Sequence, residues 1–249
     1  MSQLNWNQKN AVSQFMQFTE TSKDTALRYL RNSRFDFDNA MNAFLTDKTM
    51  SDQKQDKIII EETFRKYSSD KEMDIDGIIA FISDLGLNVE DPIVLALSYC
   101  IKSSKIGAIN KDEFVKGMLE IHCKTIDDLK HYLETVIKPN FTSTEDDSFF
   151  KEVYRFTFGF VKVGVQRALP LDTAVDYWRL LLVDRFQLTE SWIEFSETQL
   201  KKDVSKDTWN MLYEFLKEYS SIEDLKSYDA TAAWPSTIDK YVSYVLSEE

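Results

Sequence analysis

The scarcity of chain-breaking residues is the feature that most limits how this sequence can fold. Its 249 residues include only 6 Gly and 4 Pro, and long segments contain neither. Gly and Pro interrupt helices, and tight β-hairpins depend on turn residues such as Gly. The hydrophobic share of 43% is enough for one substantial core and a small companion domain. We therefore predict an all-α fold.

The charge balance narrows the class of partner. The chain has 30 basic and 42 acidic residues, a net charge of −12 and a pI near 4.8. Nucleic-acid binding depends on neutralising phosphates, and no basic stripe is present, so we expect no nucleic-acid partner and favour a basic protein. Because there is no run of about 18 apolar residues and no apolar leader, we expect no membrane association and a cytoplasmic and nuclear location.

Residues suited to catalysis or metal binding are few. Cys100 and Cys123 form no C-x-x-C pair, and we predict buried free thiols. His122 and His131 are the only histidines, so a zinc site or a Ser-His or Cys-His pair has few candidate residues. We predict no cofactor, no metal and no catalytic residue, and thus a protein that is not itself an enzyme.

Residues 1–46 show three short helical patterns, with apolar side chains such as Phe15, Leu30 and Phe44 at helical spacing. This arrangement resembles a ubiquitin-associated (UBA) domain. The loop that reads Met-Gly-Phe/Tyr in ubiquitin-binding members is here Phe18-Thr19-Glu20-Thr21. Ubiquitin binding through residues 1–46 and a purely structural bundle are both open. The polar segment 47–56 is predicted to be a linker, and residues 57–249 a larger helical domain.

Two stretches of the larger domain resemble EF-hand loops. With Gly77 as the sixth loop position, Glu72, Asp74 and Asp76 take positions one, three and five, and Ile79 takes position eight. Position twelve is then Ser83, where calcium binding needs a bidentate Glu.

The second loop, with Gly107 sixth and Ile109 eighth, has Glu113 at position twelve but Lys102 at position one and Ser104 at position three. We predict paired EF-hand-like folds that bind no calcium, with a weak residual site in the first loop as the alternative.

The segment from Lys206 to Lys240 is predicted to be a docking face. Ser205 is placed to cap a helix that begins at Lys206, and Pro235 suits the first turn of a last helix. Asp207 then falls in a first turn, where a carboxylate is favourable against the helix dipole. Alternatively to Pro235, Ser236-Thr237-Ile238-Asp239 is a possible capping box, with Asp in the Glu position. A purely structural role for both aspartates is therefore the competing interpretation.

Several motifs together resemble one family, DCN (defective in cullin neddylation), whose large domain is the potentiating-neddylation or PONY domain. The resemblance extends over nearly the whole chain, from the UBA-like residues through residues 57–249. The motifs that carry it are Ile75-Asp76-Gly77-Ile78, Arg155-Phe156-Thr157-Phe158, Ala174-Val175-Asp176-Tyr177-Trp178, Lys206-Asp207-Thr208-Trp209-Asn210 and Ala233-Trp234-Pro235.

The resemblance implies a scaffold-type ligase that helps to attach a Nedd/Rub modifier to a cullin lysine. The family grips the C-terminal winged-helix region of the cullin through an Asp-Ala-Asp patch, which corresponds here to Asp207, Ala233 and Asp239. A second family site is an apolar pocket for the N-acetylated terminal Met of the neddylation conjugating enzyme. The corresponding positions are Ile75, Ile78, Val94, Leu97, Ile106, Ile109, Phe160 and Leu180.

Each pocket residue has a plainer interpretation, since apolar residues at helical spacing usually fill a core. Where animal relatives carry Gln-Cys in the second loop, this chain has Ile106-Gly107, which leaves the hydrogen bonding of the acetyl group open. Two other functions are also open, a ubiquitin-binding adaptor acting through residues 1–46 and an EF-hand-like calcium sensor.

Overall fold

The computed structural model describes residues 4–68, 70–164 and 167–247. Helices dominate, and the strands are four two-residue segments in two small antiparallel ladders. The all-α prediction is therefore confirmed. The chain divides into two compact units, residues 1–59 and 60–249.

The first unit contains helices α1 (Trp6–Thr19) and α2 (Lys23–Asn32) and most of α3 (Phe37–Arg65). Asn5 and Gln8 form a capping box at the start of α1, and the Ser22 side chain caps α2. These caps satisfy backbone N–H groups that have no partner within a helix. The predicted three-helix arrangement is confirmed, and its core consists of Val12, Phe15, Ala26, Leu30 and Ala40.

The polar segment 47–56 is helical throughout, since it lies within α3. Residues 47–55 are all exposed. The side chain of Asp47 accepts a hydrogen bond from the Tyr29 hydroxyl at 2.7 Å, which ties this part of α3 to α2. The segment that was predicted from its composition to be a linker is therefore helical. The predicted domain boundaries remain a prediction.

The second unit opens with two helix–loop–helix motifs. The first runs from the end of α3 through β1 (Glu72–Met73) to α4 (Ile75–Asp84), and the second from α5 (Ile93–Cys100) through β2 (Ile109–Asn110) to α6 (Lys111–Glu120). Strands β1 and β2 pair antiparallel. Asp74, which follows β1, caps α4, and Asn110, the last residue of β2, caps α6.

The pairing of β1 with β2 corrects the alignment of the first loop. Ile109, at position eight of the second loop, pairs with Met73, whereas Ile79 lies inside α4. The first loop therefore begins six residues earlier than predicted, at Lys66, and Gly77 occupies position twelve. The sequence alignment was wrong because Glu72, Asp74 and Asp76 imitate the acidic spacing of a loop whose real register is set by backbone pairing.

This register weakens the case for a calcium sensor. Both loops now begin with a lysine, at Lys66 and Lys102, and the first has no side chain at position twelve, where calcium binding needs a carboxylate. In the second loop, the Glu113 carboxylate accepts a hydrogen bond from the Ser104 backbone at 3.1 Å. Glu72, Asp74 and Asp76, which suggested a residual calcium site, therefore do not occupy loop positions one, three and five.

The remainder of the second unit is a helical bundle. Its helices are α7 (Ile126–Tyr132), α8 (Lys138–Thr142), α9 (Ser148–Phe160), α10 (Leu171–Leu182), α11 (Thr189–Phe195), α12 (Lys206–Glu218), α13 (Ile222–Leu225) and α14 (Ser236–Ser247). Two π-helical turns follow α7 and α11, at Leu133–Ile137 and Ser196–Leu200. Strands β3 (Ala168–Leu169) and β4 (Val204–Ser205) pair antiparallel and precede α10 and α12.

Aromatic side chains form the centre of this bundle. Tyr154, Trp178, Trp192 and Trp209 are completely buried. The dense aromatic run of α9 contributes to this core, although Phe156 remains half-buried. Aromatic rings bury large areas and add specific ring–ring geometry, so they fix the relative positions of the helices that carry the sites described next.

Both thiols are free and buried, as predicted. Burial raises the pKa of Cys100 to about 11. The pKa of Cys123 is also raised to about 11, chiefly by burial, with a smaller contribution from Asp128. At neutral pH both groups are protonated and behave as small apolar side chains.

Candidate partner-binding sites

An apolar cavity of about 840 Å³ opens in the second unit, among α4, α5, the second EF-hand-like loop, the end of α9 and α10. All eight positions predicted for the acetyl-Met pocket line it. These are Ile75, Ile78, Val94, Leu97, Ile106, Ile109, Phe160 and Leu180. A volume of this size is within the usual range for pockets that enclose a small ligand or a short peptide segment.

The lining side chains change in exposure from the floor of the cavity to its mouth. Leu97, Ile109 and Phe160 are at most 7% exposed. Ile75 is 61% exposed and Ile106 is 47% exposed. The buried residues of the floor also belong to the hydrophobic core, so the interpretation of these positions as core residues holds. The exposed isoleucines have no such role, and exposed apolar side chains grouped around a cavity are typical of binding sites.

The second EF-hand-like loop is fixed at the cavity mouth by a backbone contact. The Ile106 N–H donates to the Phe160 carbonyl at 3.1 Å, which joins the loop to the C-terminal end of α9. Gly107 has a φ of +80°, and a Cβ at this position would come no nearer than 4.0 Å to the Ile75 side chain. A glycine here lets the loop turn and leaves the cavity mouth open beside Ile106.

The cavity also contains polar groups that the sequence reasoning did not select. Ser98 and Tyr177 contribute hydroxyl groups. Burial raises the pKa of Tyr177, and the nearby Asp176 carboxylate adds to the shift, so the phenol is protonated at neutral pH and can donate a hydrogen bond. The available signal for Tyr177 was spacing, because it lies three residues before Leu180 on one helix and within a quoted motif.

Asp207 lies on the exposed first turn of α12. The prediction that Ser205 caps this helix is confirmed, since its hydroxyl accepts a hydrogen bond from the Thr208 backbone at 3.0 Å. Asp207 itself is exposed. Because Ser205 satisfies the helix end, the Asp207 carboxylate does not act as the cap and faces solvent on a rigid helix start.

Asp239 lies in the first turn of α14 and is half-buried. Its Oδ1 accepts a hydrogen bond from the Tyr228 hydroxyl at 2.6 Å. Burial and the Asp239 carboxylate together raise the pKa of Tyr228, so the phenol keeps its proton and holds the carboxylate in one orientation. Sequence reasoning missed Tyr228, because a contact across eleven residues of irregular chain leaves no periodic signal.

Ala233 is exposed in the turn that leads into α14. The next residue, Trp234, anchors this turn by packing its ring against Phe215 at 5.8 Å and Tyr219 at 6.5 Å on and beside α12. Phe215 also contacts Tyr241 of α14, with ring centroids 5.9 Å apart. Two helices that pack together, α12 and α14, therefore carry Asp207 and Asp239, and the anchored turn before α14 carries Ala233.

Comparison with known proteins gives the relationship of this chain to others. Residues 128–244 match the protein-family model for Cullin binding, and residues 9–49 match a UBA-like domain. Over 234 residues the chain is 35% identical to Defective in cullin neddylation protein 1 of Yarrowia lipolytica, with 94% of this chain and 95% of the relative covered. The chain belongs to the defective in cullin neddylation family. The resemblance seen in its motifs is thus confirmed.

Other members of the DCN family match over similar lengths. The protein of the same name from Cryptococcus neoformans is 30% identical over 279 residues, covering 100% of this chain and 98% of the relative. That of Saccharomyces cerevisiae is 26% identical over 259 residues, covering 97% and 95%. The region matched to Cullin binding contains the acidic surface, which consists of Asp207, Ala233 and Asp239. Of the eight cavity positions, it contains Phe160 and Leu180.

Among the described residues, no group of three or more His, Cys, Asp or Glu side chains could hold a metal ion. In the same parts of the chain, every helix is too short or too polar to cross a lipid bilayer.

Proposed function

We propose that this protein is a non-catalytic scaffold component of a ubiquitin-like protein ligase, which promotes transfer of a Nedd/Rub modifier to a cullin lysine. Its partners are the cullin C-terminal winged-helix region and the N-acetylated terminus of the neddylation conjugating enzyme. Family membership supports the general role. The observation that most supports the finer assignment is that all eight residues implied for the second partner line one cavity.

The acidic surface is assigned to the cullin. Two carboxylates, Asp207 and Asp239, can form charge-assisted hydrogen bonds with cationic groups of a basic partner. The small side chain of Ala233 allows the partner to approach closely. Both carboxylates lie at the start of a rigid helix, and Tyr228 orients one of them, which suits an interface that must fix its partner in one orientation.

The apolar cavity is assigned to the acetylated methionine. A free terminal ammonium would be costly to bury among isoleucine and leucine side chains, whereas acetylation removes the charge and leaves a neutral amide. That amide still needs hydrogen-bond partners. Ile106 and Gly107 offer no side-chain donor. The hydroxyls of Ser98 and Tyr177 line the cavity and are therefore the candidate donors to the acetyl carbonyl.

The proposed mechanism requires no chemistry from the protein. Binding the cullin on one face and the thioester-charged enzyme on another makes their encounter effectively intramolecular. Holding two reactants in a productive orientation can itself account for large rate increases. The acceptor lysine and the thioester are then the only reacting groups, and this chain positions them.

A reconstituted neddylation reaction tests the acidic surface. We expect the triple variant Asp207→Ala, Ala233→Arg, Asp239→Ala to lose cullin binding and stimulation of transfer while remaining folded, as measured by circular dichroism. A control with the same change in charge at exposed positions elsewhere is Ala43→Arg, Glu145→Ala, Asp184→Ala. If the first variant stimulates transfer as well as the parent does, the cullin assignment is wrong.

Peptide binding tests the cavity separately. A peptide beginning with acetyl-Met should bind, and the same peptide with a free amino terminus should bind at least about tenfold more weakly because the charge must be desolvated. Leu180→Asp, which places a carboxylate at the mouth, should weaken the acetylated peptide without unfolding the protein, since Leu180 is 38% exposed. Equal binding of both peptides would remove the acetyl-Met assignment.

Ubiquitin binding by the first unit is a second candidate function. Its support is the UBA-like match together with the exposure of Phe18, which is 70% exposed at the end of α1. Titrating labelled ubiquitin into the full chain and into a Phe18→Ser variant tests it. A saturable response that the variant loses is expected, and no response from the parent protein would exclude this function.

A further inference from the structure

The mouth of the apolar cavity has an acidic rim that the eight predicted pocket residues do not account for. Among the residues that the structure describes, the lining includes three carboxylates, Glu90, Asp91 and Asp176, and a single lysine, Lys105. The carboxylates come from different elements, since Glu90 and Asp91 precede α5 and Asp176 lies on α10. They therefore approach the cavity from two sides.

The single lysine does not neutralise this rim. Lys105 Nζ lies 3.0 Å from Glu72 Oε2, outside the cavity lining, so its charge is already paired. Among the carboxylates, Asp91 is also engaged, because its Oδ1 accepts the Ile93 backbone N–H at 2.9 Å. Glu90 and Asp176 are exposed and form no ion pair with any other described residue.

Two unpaired carboxylates beside an apolar cavity create a local negative potential. Low-dielectric walls concentrate the field of such charges at the opening. A cation that enters the floor of the cavity would lose its hydration, whereas one that stays at the mouth keeps most of it. The site thus favours a ligand with a neutral apolar end and a positive charge a short distance along the chain.

We infer that the cavity selects peptides whose capped, apolar amino terminus is followed within a few residues by a lysine or arginine, and that Glu90 and Asp176 are the specificity-determining residues. This inference rests on the proposed function of the cavity and adds a charge requirement to it. The apolar end occupies the floor formed by Leu97 and Phe160. The cationic side chain pairs with the rim where the peptide leaves the cavity.

Six peptides of one length test the inference against the full chain. Three carry a single lysine, namely acetyl-Met-Lys-Ala-Ala, acetyl-Met-Ala-Lys-Ala and acetyl-Met-Ala-Ala-Lys, each extended by the same neutral tail. The other three have glutamine in place of lysine. At low salt, at least one lysine peptide should bind roughly two- to fivefold more tightly than its glutamine partner for each carboxylate engaged, as expected for exposed ion pairs.

Matched variants assign the effect to the rim. Glu90→Gln with Asp176→Asn should abolish the preference for lysine, so that each lysine peptide binds with the affinity of its glutamine partner. The control Glu145→Gln with Asp184→Asn removes the same charge from exposed positions outside the cavity lining and should retain the preference. Raising the salt concentration to about 0.5 M should also reduce it, because exposed charges are screened.

The possible failures are distinguishable. If lysine and glutamine peptides bind equally to the parent protein, the charge requirement is wrong and the acetyl-Met assignment survives. The same conclusion follows if the rim variants keep the preference for lysine. If none of the acetyl-Met peptides binds, the proposed function of the cavity fails and the charge requirement fails with it.

Discussion

Tyr154 and Trp209 each donate a hydrogen bond to the main-chain carbonyl of the other. The Tyr154 hydroxyl lies 2.8 Å from the Trp209 carbonyl oxygen, and Trp209 Nε1 lies 3.0 Å from that of Tyr154. Their rings stack with centroids 4.7 Å apart. The pair joins α9, whose end contributes Phe160 to the cavity, to α12, whose first turn carries Asp207. One buried contact thus connects the elements that form the two proposed binding surfaces.

Tyr154→Phe should lower the free energy of unfolding by about 1–2 kcal/mol, because a buried donor and its acceptor lose their bond while the ring packing remains. Urea unfolding followed by circular dichroism would measure this. Tyr99→Phe is the matched control, since Tyr99 is half-buried against Phe149 and Phe156 through its ring, and it should change stability by less than about 0.5 kcal/mol. Equal effects of both substitutions would show that the reciprocal hydrogen bonds contribute little.

Gly77→Ala should destabilise the second unit strongly. A Cβ at this position of α4 would lie 2.2 Å from the Tyr67 carbonyl oxygen and 2.8 Å from the Met73 side chain. The backbone would have to move, and overpacking of this kind typically costs about 1–3 kcal/mol or more. Because α4 carries Ile75 and Ile78, the affinity for an acetylated peptide should fall as well.

Gly159→Ala is the control for this prediction. Gly159 also lies in a helix, but, apart from its chain neighbours and the backbone of its own helix, no atom of the other described residues would lie within 4 Å of an added Cβ. Alanine has the higher helix propensity, so the free energy of unfolding should stay the same or rise by up to about 1 kcal/mol. If both substitutions have the same effect on the melting temperature, the close approach at Gly77 does not limit the packing of α4.

The sequence predicted the helices of this fold but not the register of its first EF-hand-like loop. The scarcity of Gly and Pro was sufficient to predict the all-α fold, and helical periodicity was sufficient to predict the three helices of the first unit. It did not reveal the register of β1, because the acidic spacing around Gly77 suggested a calcium loop while the pairing of Met73 with Ile109 set the real one. Backbone pairing depends on a partner 36 residues away, which local composition does not encode.

The candidate site was predictable to a similar extent. The eight cavity positions came from the family resemblance, since apolar spacing alone does not distinguish a pocket from a core. Tyr228, Glu90 and Asp176 were missed, because their importance depends on contacts or on a shared opening that only the three-dimensional structure defines. Segment 47–56 was predicted as a linker on its polarity, yet a polar sequence without Gly or Pro is also compatible with the exposed helix that is found.

Tyr228→Phe should weaken cullin binding without unfolding the protein. The substitution removes the hydroxyl that donates to Asp239 Oδ1 but keeps the ring, which packs against Phe215 and Tyr219. Freed from this contact, the Asp239 carboxylate must be ordered on binding, which should raise the Kd about three- to tenfold. Calorimetry with a cullin C-terminal domain measures the change.

Tyr244→Phe provides the comparison for Tyr228→Phe, because it removes a phenol from the other end of α14 and keeps the ring contact with Phe195. Its effect on the Kd should be smaller than that of Tyr228→Phe. An unchanged Kd for Tyr228→Phe, with intact Asp239, would mean that orientation of this carboxylate is not needed for docking.

Asp147 links stability to pH. Its carboxylate accepts hydrogen bonds from Lys217 Nζ at 2.8 Å and from the Tyr213 hydroxyl at 2.6 Å. The Lys217 contact, followed by that of Tyr213, lowers the pKa of Asp147 below its ordinary value. Folding therefore favours the charged form, so this stabilisation is fully present above the unfolded-state pKa of about 3.9 and is lost as the pH falls through the lower folded-state pKa.

Asp147→Asn should consequently reduce the free energy of unfolding by about 1 kcal/mol at pH 7, a value kept small because Lys217 is 54% exposed and the ion pair is screened by solvent. The difference between the parent and the variant should begin to shrink as the pH falls below the unfolded-state pKa of about 3.9, and it should be lost as the pH falls through the lower folded-state pKa of Asp147. Urea unfolding at pH 7 and at about pH 3 measures both values. A difference that stays constant over this range would show that the Asp147 charge does not stabilise the contact between α9 and α12.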